Sequence, residues 1–288
     1  MKIISRISFI MLVGTLLFHS CTKVSEPYFT VKSVIVDTTK RSVLLEDYTG
    51  HLCVNCAPAA AVASTIQELN HGLVYVISVH AGSFARPNPT SYPPYLAADY
   101  RCETGNDWFG YGAFNIDANP KGMVNRRPFK GQISFGASDW NQAVQAAVEL
   151  PKIAIMTVNN TFNNGNKMLD SKVDIKFLTG YTGKVNLTVC ILEDSIYGGQ
   201  LNIIPPDSIP IIKNFRFMHV LRGSLNGSFG EEISVNPSPG DLITKSYSFD
   251  FTANSWKPEH CNVIAFISDA DTREVLHVAK SQNISLKK

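Results

Sequence analysis

The chain has 288 residues and a formal net charge of +2, with 26 Lys and Arg against 24 Asp and Glu. This length is too great for one small hydrophobic core and suits two domains. The charges are spread without a long basic or acidic block, which excludes the composition typical of nucleic-acid-binding and acidic-tail proteins. No nucleic-acid partner is therefore predicted.

The N-terminus has the pattern of a secretory signal. Lys2 and Arg6 precede a short apolar run, which is too short to span a bilayer comfortably. The cysteine that follows, Cys21, resembles the acylated residue of a bacterial lipoprotein cleavage box. We therefore predict a lipoprotein signal peptide over residues 1–20, a lipid anchor on Cys21 that holds the protein to a membrane, and a tether over 21–39. The alternative is an ordinary secretory signal followed by an unmodified cysteine.

Residues 40–150 have the rhythm of an α/β domain. The strand predicted over 73–79 is apolar on both faces, as expected in the middle of such a sheet. A Pro- and aromatic-rich insertion over 80–111 interrupts the pattern, and it is either a ligand-gripping lid or a cover for the sheet edge. The other predicted elements are strands over 42–48, 121–125 and 132–135 and helices over 57–70 and 139–150, with a short helix near 95–100.

After Pro151 the pattern changes to alternating apolar and polar residues with frequent turn signals. Seven strands and no long helix in this segment are typical of an immunoglobulin-like antiparallel sandwich. We therefore predict a second domain over 151–288. Its predicted strands cover residues 152–158, 171–177, 184–192, 216–221, 243–251, 262–267 and 274–279.

The most informative motif is Cys53-Val-Asn-Cys56, placed where a strand passes into a helix. The N–H groups and partial positive charge of a helix N-terminus stabilise a thiolate, which is the nucleophile of thiol–disulfide exchange. The competing interpretation is a permanent disulfide that staples this corner. A zinc site is less favoured, because no second pair of ligands at zinc spacing is present.

The order of elements around this motif resembles the thioredoxin fold. In that family a buried carboxylate often lies six residues before the first cysteine, where this chain has Asp47, and a cis-proline faces the dithiol, for which Pro120 is the match. The resemblance implies that Cys53 is the attacking thiolate and Cys56 the resolving thiol. It further implies that Asp47 accepts the proton of Cys56, and that Pro120 shields the pair and docks a substrate strand. The predicted fold class is thus an α/β thioredoxin-like domain followed by an all-β immunoglobulin-like sandwich.

The whole chain also resembles a narrower family, the Gram-negative lipoproteins named for a twenty-eight-kilodalton outer membrane protein. The resemblance rests on residues 44–50, the two cysteines with the Ala57-Pro58 that follows, and the segments 219–223 and 262–267. It implies placement in the outer membrane. Some relatives are accessories of nutrient-importing outer-membrane complexes, which suggests a binding role.

Other candidate residues carry less information. Cys102 lies in the insertion, where a resolving role is one interpretation. Cys190 and Cys261 either bridge two sheets or remain two buried thiols. His219 and Arg222 are predicted to make internal contacts. The chain has no phosphate-binding loop and no hydrolase or zinc-protease motif, and no cofactor or metal is predicted.

Two functions remain open at the level of sequence. One is thiol–disulfide exchange on a protein substrate through Cys53 and Cys56. The alternative is a non-catalytic binding or accessory lipoprotein of an outer-membrane complex of the nutrient-import type, with a structural Cys53–Cys56 disulfide.

Overall fold

A computed structural model describes residues 39–70, 72–202 and 211–284. These residues all fall in one compact unit, Val36–Lys288. The predicted signal peptide, Cys21 and nearly all of the tether lie outside the described residues. Within the described ranges, no helix is both long and apolar enough to cross a membrane.

The described residues form three α-helices. Helix α1 buries Cys56, Ala59, Ala63 and Ile66, and this spacing of three and four residues places them on one face, toward the sheet. Helix α3 likewise buries one face, which includes Trp140. The helices are α1 (Cys56–Leu69), α2 (Glu103–Phe109) and α3 (Ala137–Val148).

Thirteen strands are present in the described ranges. They are β1 (Val43–Thr49), β2 (Val74–His80), β3 (Lys121–Val124), β4 (Ala154–Asn163), β5 (Met168–Phe177), β6 (Lys184–Glu193), β7 (Ile196–Leu201), β8 (Ile211–Phe217), β9 (Val220–Ser224), β10 (Glu231–Val235), β11 (Leu242–Asp250), β12 (Cys261–Asp269) and β13 (Val275–Lys280).

Eight of the strands form one mixed sheet in the order β13-β12-β6-β9-β2-β1-β3, with β10 paired to β6. Strand β1 lies parallel to β2 and antiparallel to β3. On its other side β2 meets β9, where Ser78 pairs with Val220. Strands from before and after residue 151 therefore share this sheet.

Two smaller sheets complete the structure. Strands β11, β5 and β4 form an antiparallel sheet, and one hydrophobic core fills the space between it and β6, β12 and their neighbours. Strands β7 and β8 form a separate antiparallel pair. Two further cores lie on the large sheet, one beneath α1 and α3 and the other beneath the aromatic side chains of the insertion.

The predicted fold class is wrong. In the described residues strands account for 41% and helices for 16%, so the protein is mostly β and does not begin with a clear α/β thioredoxin-like domain. The sheet that contains β1 and β2 does not end there, because β9 extends it into the strands of the C-terminal half.

The expectation of an immunoglobulin-like sandwich in the second half is not confirmed either. All nine residues of β12 are buried, whereas the outer face of a sandwich strand would meet solvent. Phe266 of β12 packs with Trp108 of the insertion, 6.2 Å between ring centroids. The insertion thus covers a sheet face that the alternating pattern had assigned to solvent.

Candidate functional site

Cys53 and Cys56 form a disulfide at the point where β1 passes into α1, with their Cα atoms 5.4 Å apart. Cys56 is the first residue of α1. The tight turn is closed by two backbone hydrogen bonds, from Cys53 N to Gly50 O at 3.0 Å and from Cys56 N to Cys53 O at 3.2 Å. Cys53 is 3% exposed and Cys56 1%, whereas Val54 and Asn55 between them face solvent.

Strand β7 holds the segment that contains the disulfide. The Gln200 side-chain amide donates to Cys53 O at 2.8 Å and to Gly50 O at 3.4 Å. Leu201 N donates to His51 O at 2.8 Å. Gln200 is itself 1% exposed, so these bonds lie in the interior and fix the turn from the side opposite the solvent.

Asp47 lies on β1 and is 1% exposed. Its Oδ1 atom has no hydrogen-bond partner among the described residues. Burial alone raises the pKa of this carboxyl to about 7, because desolvation disfavours the charged form. The predicted proton acceptor is therefore a buried carboxyl group with its pKa close to neutral pH.

A partly open cavity of 460 Å³ brings Asp47 and Cys56 together. Helix α1 forms one wall, β1 and β2 form the floor, and Gln200 with residues 215–219 forms the opposite wall. Because Asp47 and Cys56 line the same space, a proton can pass between them through the cavity, directly or by way of water. The cavity is the feature that joins the sequence-predicted site residues.

Two buried histidines lie beside this cavity. His80 is 2% exposed and lines it, and neither of its ring nitrogens has a hydrogen-bond partner among the described residues. Desolvation is the main cause that lowers the pKa of His80 to about 3, so its imidazole is neutral. The ring of Tyr100 lies edge-on to both His80 and His51, with centroids 5.2 and 5.7 Å apart.

The Asn119–Pro120 peptide bond is cis, as predicted from the sequence. The register of β1 and β3 pairs Tyr48 with Lys121, which places Pro120 beside the end of β1 that leads to the disulfide. Pro120 is half-buried. Its role as a docking edge for a substrate strand stays a prediction.

The remaining cysteines in the described ranges are free thiols. Cys190 and Cys261 belong to different hydrophobic cores on opposite faces of the large sheet, so they do not bridge two sheets. Burial raises the pKa of Cys102 to about 11 and raises those of the other two further, which makes all three poor nucleophiles.

The sequence did not identify the far wall of the cavity. His219 lines it, and its Nδ1 lies 2.8 Å from Asp194 Oδ1, while its Nε2 lies 2.9 Å from Gln67 Oε1. The only sequence signal here was the His219-to-Gly223 segment itself. The described residues contain no group of three or more His, Cys, Asp or Glu side chains placed to hold a metal ion.

Comparison with known proteins identifies the family. The family model of outer membrane protein Omp28 matches residues 110–285, more than half of the chain. The disulfide-bearing β-rich fold described above is thus that of an outer-membrane protein, and the chain belongs to the Omp28 family. No curated protein matches the sequence significantly.

Solved structures share the fold at low sequence identity. HBP35 of Porphyromonas gingivalis matches with a TM-score of 0.62 and 14% identity over 87% of this chain and 79% of its own. A protein from Agrobacterium tumefaciens matches with a TM-score of 0.50 and 13% identity over 85% and 96%. A domain of the outer membrane lipoprotein Omp28 from P. gingivalis matches with a TM-score of 0.30 and 21% identity over 46% and 88%.

Proposed function

We propose that this protein carries out thiol–disulfide exchange at the outer membrane through Cys53 and Cys56. The observation that carries the proposal is the shared cavity, where Cys56 and the unpaired carboxyl group of Asp47 meet. A disulfide that only staples a corner needs no ionisable neighbour, whereas an unpaired buried carboxyl group costs stability. Such costly, pKa-shifted groups concentrate at functional sites.

In the proposed reaction the thiolate of a substrate attacks Cys53 Sγ. A mixed disulfide forms, the Cys53–Cys56 bond breaks, and Cys56 leaves as a thiolate. Asp47, protonated about half of the time at neutral pH, then donates its proton to the Cys56 sulfur. A second substrate thiolate attacks the substrate sulfur of the mixed disulfide, which yields the substrate disulfide and the Cys53 thiolate. Two electrons thereby pass from the substrate to the protein, and the reverse sequence oxidises a substrate dithiol.

Cys53 is assigned as the attacked sulfur for two reasons. It lies in the turn ahead of α1, where the unpaired N–H groups of the helix stabilise its thiolate. It is also the more exposed of the two, beside solvent-facing Val54. The predicted lipid on Cys21 would hold this site at the membrane surface, where the substrate would be a protein thiol or disulfide.

Reduction rates test the role of Asp47. The full chain, purified in detergent, is reduced with dithiothreitol, quenched with an alkylating agent and read by peptide mass spectrometry. We expect Asp47→Asn to slow reduction at neutral pH by about tenfold or more, because the proton donor is lost. Asp139→Asn, on the exposed end of α3, is the matched control and should react like the wild type. Equal rates for Asp47→Asn and the wild type would contradict the proposal.

A second candidate is a binding or accessory lipoprotein of an outer-membrane complex of the nutrient-import type, with a purely structural disulfide. The burial of Cys53 and its fixation by Gln200 favour this candidate, because they restrict access to the sulfur. It predicts that the Cys53→Ser, Cys56→Ser double variant still co-purifies with its partner from solubilised outer membranes. Loss of that association in a folded double variant would count against it.

A further inference from the structure

We propose that the cavity beside the disulfide is a binding site for a small organic cation, an amine with an apolar body whose ammonium group pairs with Asp47. The cavity lies between α1, the ends of β1 and β2, and the wall formed by Gln200 and residues 215–219. The inference does not rest on thiol–disulfide exchange, because it concerns the oxidised protein.

Asp47 is exceptional among the buried carboxyl groups of the described residues. Each of the other four has a partner that stabilises its charge, and only Asp47 Oδ1 has none. An unpaired carboxyl group in the interior is costly unless a ligand or proton satisfies it. The four partnered pairs are Glu46 with Arg126, Glu193 with Arg222, Asp194 with His219, and Asp269 with Tyr181.

The walls fit an apolar body. The face of α1 that borders the cavity carries small side chains, among them Ala57, Ala60 and Ala61, which leave the space unfilled. Phe215 and Phe217 line the opposite wall. The volume of 460 Å³ lies within the range of small-molecule sites, which are typically apolar with a few convergent polar groups.

The charges that line the cavity favour a cation over an anion. Asp47 lies inside and Glu68 at the rim, and aromatic rings also attract cations. The Arg216 guanidinium is already engaged, since it donates to Ser195 Oγ at 2.7 and 3.1 Å. His219 is held by Asp194, and neutral His80 offers an unused ring nitrogen as a hydrogen-bond acceptor for an ammonium group.

Three probes of similar shape test the proposal: benzylamine, benzyl alcohol and benzoate. Their binding to the oxidised full chain in detergent is measured by isothermal titration calorimetry, with blank titrations into detergent alone. We expect benzylamine to bind about tenfold or more tightly than benzyl alcohol, because a charge-assisted hydrogen bond to Asp47 is added. Benzoate should bind most weakly of the three.

Two variants locate the site. Asp47→Asn should remove the preference for benzylamine over benzyl alcohol while it keeps the cavity, and Asp139→Asn should behave like the wild type. Ala60→Phe, which fills the cavity, should weaken the binding of both ligands, and its far-ultraviolet circular dichroism reports whether it folds. If Ala60→Phe does not fold, the Asp47→Asn comparison alone decides.

The proposal is overturned if benzylamine does not bind, if the three probes bind equally, or if Asp47→Asn leaves the preference for benzylamine intact. Failure of thiol–disulfide exchange would be distinguishable, because it would leave all of these affinities in the oxidised protein unchanged.

Discussion

Glu46 and Asp47 are consecutive buried carboxyl groups on β1, and only Glu46 has a cationic partner. Successive side chains of a strand point to opposite faces of the sheet, so the two groups lie in different cores. Glu46 Oε1 lies 2.8 Å from an Arg126 guanidinium nitrogen, and that guanidinium packs over the ring of Trp108, 4.6 Å from its centroid. One face of β1 thus carries a satisfied ion pair and the other an unsatisfied acid.

This difference predicts that Asp47→Asn changes how stability depends on pH. The pKa of Asp47 is about 7 in the folded protein and near 4 in an unfolded chain. Between these values the folded protein holds a proton that the unfolded chain has released, so Asp47 makes the free energy of unfolding fall as pH rises. Relative to the wild type, Asp47→Asn should therefore gain up to about 4 kcal/mol from acidic to neutral pH.

Urea unfolding of both proteins across this pH range measures the difference. His80 and His277, whose pKa values are lowered to about 3 mainly by desolvation, give the opposite slope. Their contribution lowers the stability of the folded state as pH falls below about 6.5. Both proteins contain these histidines, so the effect cancels in the comparison. A stability difference that does not vary with pH would show that Asp47 titrates normally.

The buried ion pair should be costly to break and cheaper to replace. Glu46→Gln or Arg126→Met alone should lower the free energy of unfolding by about 3 to 5 kcal/mol, because one charge or its polar partner is left unsatisfied in the interior. Replacing both residues by Met should recover much of that loss. Chemical denaturation of the two single variants and the double variant gives the coupling energy directly.

An exposed pair provides the control for this series. Lys130 and Asp139 lie 2.7 Å apart on the surface, and Asp139→Asn should change stability by less than about 1 kcal/mol. If the double Met variant loses as much stability as the sum of the single variants, the Glu46–Arg126 interaction has no special role.

Gly122 on β3 is predicted to tolerate no side chain. A Cβ atom added there would overlap the indole ring of Trp140, which is fully buried under the sheet. Gly122→Ala should therefore lower the melting temperature, with a loss of about 1 to 3 kcal/mol from overpacking. Gly136→Ala is the control, because a Cβ atom at Gly136 meets no atom within 4 Å. Similar melting temperatures for the two variants would refute this packing assignment.

Local sequence patterns predicted most elements in the first half. The strands at β1 and β2 and the helices α1 and α3 lie within a few residues of their predicted positions, because each has a strong period or a clear terminating signal. The short strand expected over 132–135 is only an isolated bridge, and residues 95–100 form turns instead of a helix. The family resemblance proved correct.

Pairing between distant segments could not be predicted in this way. The single strand expected over 216–221 is divided between β8 and β9, and the break falls at His219, whose φ of 55° interrupts the extended chain. Strand β9 then joins β2, which is a contact that no local period encodes. The error in fold class follows from this pairing and from the insertion, whose Trp108 covers the large sheet.

The candidate site was predicted in part for the same reason. Cys53, Cys56, Asp47 and the cis bond at Pro120 all belong to one continuous region of motifs, so sequence spacing was sufficient to select them. Gln200 and the residues that form the far wall of the cavity come from β7 and β8, neither of which had a clear strand pattern in the sequence.

The most direct test of the central claim is a redox titration of the Cys53–Cys56 pair in the full chain. The protein is equilibrated in buffers of graded thiol-to-disulfide ratio, alkylated and analysed by peptide mass spectrometry. Exchange activity predicts a midpoint among those of known thiol–disulfide catalysts, roughly −120 to −270 mV. A disulfide that stays oxidised below about −300 mV would contradict the claim and identify the pair as a structural staple.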